Sequence, residues 1–267
     1  MAGVDEFLRN LQKSNLLTPE QWKVVRRVAA GYPLSGAPGS STAVDEVAQG
    51  RPSPEELARK LVERGFLTPW QAEMLLQGKK AFFIGKYRLL DCIGSGGMGA
   101  VFKAVHGELD RIVAIKIMSA EVVKDRRAVA RFRQEVQALA ALDDPHIVAA
   151  YDAASAGGLH YLVMEHIEGY DLGYLIKENG PLPIEWSCEC IRQAALGLQY
   201  AHEKGMVHCD IKPTNLLVAK DPESGGPIVK ILDLGLARGA GMRGGSGSLT
   251  QIGQFLGTPD YISPEQG

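Results

Sequence analysis

The chain holds 267 residues, 45% of them hydrophobic, enough for one large or two small domains with a filled core. Twenty-nine basic against 31 acidic side chains leave a net charge of −2, which gives no electrostatic case for a nucleic-acid partner or an anionic membrane surface. No apolar run reaches the roughly 18 residues of a membrane-spanning helix. Met1–Asn10 is charged and lacks an apolar signal core. Cys92, Cys188, Cys190 and Cys209 form no C-x-x-C pair, as expected of reduced thiols in a cytoplasmic chain.

The first feature in chain order is a repeat. Leu11–Gln21 reads LQKSNLLTPEQ, and Leu61–Gln71 reads LVERGFLTPWQ. Thr18 and Thr68 suit helix N-caps, Pro19 and Pro69 the first helical position, and Gln21 and Gln71 complete capping boxes. Each copy predicts a helix, a turn at Asn15 or Gly65, and a second helix. Leu57 and Leu61, then Met74 and Leu75, supply apolar stripes. The expected organisation is a helical hairpin over 1–30, a Gly/Pro/Ser-rich linker over 31–54 and a second hairpin over 55–80. These copies place no catalytic groups. They fit a small structural bundle or a module that docks partners through residues 1–80.

From Tyr87 the pattern becomes strand-like: Tyr87–Ile93, Val101–Val105 and Ile112–Met118. A helical run follows over Arg126–Leu142, then strands at Ile147–Tyr151 and His160–Glu165, a long helix over Ile184–Glu203 and a strand at Ile228–Leu232. A strand-rich lobe ahead of a helical lobe predicts an α+β class. After the first strand comes Gly94-Ser95-Gly96-Gly97-Met98-Gly99, a G-x-G-x-x-G string whose missing Cβ atoms let backbone approach phosphate oxygens. A dinucleotide-binding turn shares this spacing but needs a helix at the third glycine. Here Ala100–Val105 alternates like a strand, so the glycines sit in a hairpin. No Gly-Lys-Ser/Thr follows, which excludes a Walker-type loop.

Downstream, Val113-Ala114-Ile115-Lys116 resembles the third strand of protein kinases with its phosphate-binding lysine. Arg133-Gln134-Glu135 resembles the helix that carries the glutamate partner of that lysine. Val207–Asn215 resembles the catalytic loop, Asp233-Leu234-Gly235 the metal-binding motif, and Gly257–Glu265 the end of the activation segment. Five motifs in this order identify the stretch 87–267 as similar to bacterial, eukaryote-like Ser/Thr protein kinases; Lys212, two residues after Asp210, is the Ser/Thr-type choice. The resemblance implies a bilobal fold, with a β-rich lobe over 87–166 and a helical lobe over 167–267 that stops short of the family's usual length. A fragment so shortened is expected to expose apolar surface and to be poorly soluble or inactive by itself. What lies past Gly267, a membrane span included, is left open.

The resemblance also implies roles. Lys116 would hold the α- and β-phosphates of ATP, oriented by Glu135, which its helical run favours over Glu121. Asp210 would orient the attacking hydroxyl, Lys212 would steady the γ-phosphate, and Asn215 and Asp233 would hold Mg²⁺. Thr258 would bond near Asp210. Nucleotide contacts would come from Ile93, Gly94, Ser95, Gly96, Gly97, Met98, Gly99, Val101, Ala114 and Leu217. Met164 resembles the gatekeeper, Glu165-His166-Ile167 the hinge, and Asp171 the ribose partner. His208 reads as a packed scaffold histidine. Partners would be proteins that offer Ser or Thr. Cys209 stands where the family often has Arg, so control by phosphorylation at Ser246, Ser248 or Thr250 should be weak. The competing reading is a pseudokinase or nucleotide-binding scaffold. It usually lacks the lysine or one of the two aspartates, and Lys116, Asp210 and Asp233 are all present.

Overall fold

A computed structural model of the chain describes residues 3–31, 50–96, 99–118, 136–234 and 259–264. Within them the chain forms two compact units, Met1–Gly94 with Phe102–Arg111, and Ser95–Val101 with Ile112–Gly267.

The first unit begins with four helices: α1 (Val4–Ser14), α2 (Pro19–Ala29), α3 (Pro54–Glu63) and α4 (Pro69–Leu76). Their starts follow from the caps. Thr18 accepts from the Gln21 amide, Thr68 from the Gln71 amide, and both glutamines return a bond to the threonine amide. Ser53 and Glu56 form a third such box at α3. The turns fall at Asn15 and Gly65, both with left-handed φ, 54° and 67°. Phe7, Leu11, Val25 and Val28 of the first copy and Leu57, Leu61 and Leu75 of the second share one buried core. The two hairpins therefore form a single bundle.

That bundle continues into β-structure. Strand β1 (Phe83–Ile84) pairs antiparallel with the start of β2 (Tyr87–Gly96), and β3 covers Gly99–His106. Phe82, 1% exposed, completes the helical core. The Trp70 ring meets Phe82 edge-on and packs tilted on Phe102 of β3, each at 5.7 Å between centroids. The cap of α4 makes a second set of bonds. Thr68 Oγ1 donates to the Leu90 carbonyl and buried Gln71 Nε2 to the Leu89 carbonyl, both at 2.6 Å. Both acceptors lie on β2, so helix and strand are joined through polar groups that have left water.

The second unit holds β4 (Ile112–Met118), β5 (Ala150–Ala156) and β6 (Leu159–Glu165), with β6 antiparallel to both of the others. A second sheet joins β7 (Gly169–Asp171), β8 (Leu216–Lys220) and β9 (Pro227–Ile231) in that order. Helix α5 covers Leu172–Asn179, and α6 (Ile184–Glu203) packs on β9. Gln193 of α6 accepts from the Val229 amide at 2.8 Å and donates to the Pro227 carbonyl at 3.1 Å, which fixes helix against strand. One core runs through Ala114, Leu139, Leu162, Met164, Ala194, Leu216, Val229 and Leu234.

The α+β class and the strand-to-helix order match the sequence reading. One strand differs. The run Ile147–Tyr151 does not open as a strand, and β5 starts at Ala150. His146 and Val148 are drawn instead to β9: the Ile231 amide donates to the His146 carbonyl at 2.8 Å and the Val148 amide to the Ile231 carbonyl at 3.1 Å. Of the expected helix Arg126–Leu142, residues 136–140 are described and helical. Most of the expected linker 31–54 lies outside the described residues. Among those described, no helix is long and apolar enough to cross a membrane.

Two substitutions test these contacts. Gln71→Ala removes a cap bond and the buried side-chain donor to the Leu89 carbonyl, and should cost about 1–3 kcal/mol in urea unfolding. Gly169 lies where an added Cβ would meet the Val218 carbonyl oxygen at 2.1 Å. Gly169→Ala should therefore spread β7 from β8 and destabilise by about 1–3 kcal/mol, read by thermal melting.

Candidate functional site

The polar residues of the second unit gather around the segment between β9 and Leu234. Lys116 on β4 extends its ammonium to Asp233 Oδ1 at 2.7 Å, with side-chain exposures of 12% and 41%. Asp233 has a left-handed φ of 56°, as does Cys209 at 66°. Two non-glycine residues in this conformation carry backbone strain that only the surrounding bonds can hold.

Those bonds come from the loop between α6 and β8. The Leu232 amide donates to the Asn215 carbonyl at 2.9 Å, and the Leu232 carbonyl accepts from His208 Nε2 at 2.8 Å. The Asp210 amide donates to His208 Nδ1 at 3.3 Å. A ring that accepts at Nδ1 and donates at Nε2 is neutral. Burial pushes the His208 pKa down, against the opposing pull of the Leu232 carbonyl, Asp210 and Asp233. Both carboxylates thus act on one imidazole, which lies between the two segments that bear them.

Asp210 is gripped from two further sides. Asn215 Nδ2 donates to the Asp210 carbonyl at 2.7 Å and to its Oδ2 at 3.3 Å. Lys212 Nζ reaches Oδ2 at 2.9 Å. A short helical turn, Pro213–Asn215, places Asn215 after Lys212, and its amide donates back to the Lys212 carbonyl at 2.9 Å. The Nδ2 bonds also orient the Asn215 side chain, so its Oδ1 faces away from Asp210. That oxygen and the Asp233 carboxylate are donors of the type a hard divalent cation takes, with further positions left for phosphate oxygens and water. The residues present therefore fit Mg²⁺ carried by a nucleotide.

The apolar wall stands on the same unit. Ala114 and Met164 are register partners across β4 and β6, and both are buried. Val101 and Ile167 pack partly buried against this core. Leu217 on β8 lies between Asp171 on β7 and Lys230 on β9. Asp171 also caps α5, its Oδ1 accepting from the Tyr174 amide at 2.9 Å. Ser95 and Gly96 lie exposed at the end of β2 and Gly99 opens β3 with φ 138°, while Ile93 is exposed and Gly94 half-buried. Leu234 is 1% exposed and belongs to the core.

The structure thus brings Lys116, Asp210, Lys212, Asn215 and Asp233 into one linked set. Glu135, Thr258, Gly97 and Met98 lie outside the described residues, as do Gly235, Ser246, Ser248 and Thr250. The partner of Lys116 among the described residues is Asp233, a pairing the sequence reading did not anticipate. It also missed the ion pair of Lys230 on β9 with Glu165 at the end of β6, at 2.8 Å. Their separation of 65 residues leaves no local signal.

The family model described as the protein kinase domain matches residues 87–266. Serine/threonine-protein kinase PknB of Mycobacterium leprae is 38% identical over 185 residues, 68% of this chain and 28% of its own length. PknL of Mycobacterium bovis is 37% identical over 206 residues, 77% of this chain and 47% of its own. The chain therefore spans between about a quarter and a half of the length of these curated relatives. The crystal structure of the Mycobacterium tuberculosis PknI kinase domain aligns with a TM-score of 0.51 and 25% identity, covering 58% of this chain and 61% of that one. From its strands, its linked polar set and its likeness over residues 87–266, this chain belongs to the protein kinase domain family.

Proposed function

We propose that the protein is a Ser/Thr protein kinase, which transfers the γ-phosphate of ATP to a serine or threonine hydroxyl of a protein. One observation carries this reading: Lys116 and Asp233 form one ion pair, Asp210, Lys212 and Asn215 a second cluster, and Leu232 joins the two. The relatives matched are named as serine/threonine-protein kinases.

In this reading Lys116 moves from Asp233 to the α- and β-phosphates, with Glu135 as its second partner. A Mg²⁺ ion held there would supply positive charge to offset the negative charge that grows during transfer. Asn215 and Asp233 supply its protein oxygens. The substrate hydroxyl oxygen attacks the γ-phosphorus, the bond to the β–γ bridging oxygen breaks, and ADP departs. Asp210 accepts the hydroxyl proton, and Lys212 offsets charge on the transferred group. By the family resemblance, Ile93, the glycine string 94–99, Val101, Ala114, Met164, Glu165, Ile167 and Leu217 would contact the nucleotide, and Asp171 the ribose. By the same resemblance, Thr258 would bond near Asp210. Such chemistry belongs in a cytoplasm that supplies ATP. A partner that docks on residues 1–80 would use surface other than Thr68, Trp70 and Gln71, which are occupied by β1–β3 and the turn before them.

Asp210→Asn should lower phosphate transfer to a generic basic protein by about 10²–10⁴-fold, with nucleotide affinity retained. Equal turnover by this variant would contradict the assignment. Binding without transfer by the unaltered full-length protein would instead mark a nucleotide-dependent scaffold.

His208 gives a pH prediction. Its folded pKa lies below the ordinary 6.5, so below pH 6.5 the unfolded chain binds the extra proton first. Stability should therefore fall as pH drops from 6.5 to the folded pKa, and stay level with respect to this group below it. Denaturant titrations should show a shallower loss over that window for His208→Gln.

A further inference from the structure

We infer that Lys230 is a positioning residue for the nucleotide: its ion pair with Glu165 fixes the strand that would present the adenine edge against the strand that would carry the adenine floor. This rests on the kinase reading above and deepens it.

The pair is short and shielded. Lys230 Nζ lies 2.8 Å from Glu165 Oε2, with side-chain exposures of 15% and 25%. Glu165 is the last residue of β6, paired with Val113 and next to Met164. Lys230 lies on β9 opposite Leu217, whose other neighbour is Asp171. The two charges therefore bridge the β4–β6–β5 sheet and the β7–β8–β9 sheet at their approach to the proposed adenine site.

Backbone bonds run alongside. The Glu165 amide donates to the Ala149 carbonyl at 2.9 Å, and Glu165 Oε2 lies 3.4 Å from the Ala149 amide. Three residues earlier His146 begins the pairing with β9, and its Nδ1 lies 3.1 Å from the Val229 carbonyl oxygen. Residues 146–149 thus form a seam between β6 and β9, and the ion pair closes its open end.

The chemistry follows from burial. A half-shielded carboxylate that loses its cation seeks water or another donor. Glu165 would then be held only by its Ala149 bonds, and the backbone that follows it would lose its fixed place beside the proposed base. Steps at the γ-phosphate lie on other residues and should be unaffected. Lys230 touches no reacting atom in this account.

The test uses the full chain with a fluorescent ATP analogue for binding and steady-state kinetics for transfer. Lys230→Met should raise nucleotide Kd and the KM for ATP by about 5–20-fold, with kcat within about twofold, the cost of a lost charge-assisted bond, and Glu165→Gln should raise nucleotide Kd by a similar factor. Lys230→Arg should stay within about threefold of the parent, and the exchange Glu165→Lys with Lys230→Glu should recover most of the single-variant loss. Thermal melts of all four separate this effect from global unfolding. Unchanged KM in Lys230→Met, or a fall in kcat with KM constant, overturns the clamp while the kinase reading stands. A parent chain that binds no nucleotide overturns the kinase reading and this positioning role with it.

Discussion

The site depends on one backbone residue, Leu232. Its amide holds Asn215 through the Asn215 carbonyl, and its carbonyl holds His208. Those two bonds fasten the loop that bears Asp210, Lys212 and Asn215 beside the turn that bears Asp233. They are made where water is scarce: His208 is 2% exposed and Asn215 8%. A buried peptide group left unpaired there would cost more than a formed bond gains, so the register has no close competitor. Donating to the Leu232 carbonyl while accepting from the Asp210 amide requires the neutral ring, and burial lowers the His208 pKa in that direction.

Around that fastening, charges are balanced in pairs. Lys116 meets Asp233, Lys212 meets Asp210, and Lys230 meets Glu165. Each pair is partly shielded, which strengthens the attraction and raises the cost of losing one member. The first two pairs can exchange partners for phosphate and a metal ion, since their carboxylates and ammonium groups match those ligands in charge. In the proposed reading the third pair meets no ligand and acts within the frame.

The sequence reveals what is local. The capping boxes at Thr18 and Thr68, the left-handed turns at Asn15 and Gly65, strand Ile112–Met118 and helix Ile184–Glu203 are set by neighbours within a few residues. Ser53-Pro54-Glu55-Glu56 carries the same cap signal and was open to the same reading. What stays hidden is long-range. Nothing near Thr68 or Gln71 shows that their remaining donors meet β2. Nothing near Ile147 shows that His146 and Val148 pair with Ile231 rather than extend β5. The polar set near Asp233 was legible because its spacing resembles a known family. Its actual bonds were not, since Lys116 and Asp233 stand 117 residues apart.

The most direct measurement is a crystal structure of the full chain with a non-hydrolysable ATP analogue and Mn²⁺, the metal located by its anomalous signal. The account predicts the metal bound to Asn215 Oδ1 and an Asp233 oxygen, Lys116 turned from Asp233 to the phosphates, and the Leu232 bonds unchanged. A metal and triphosphate seated away from Asn215 and Asp233, with the Lys116–Asp233 pair intact, would contradict it.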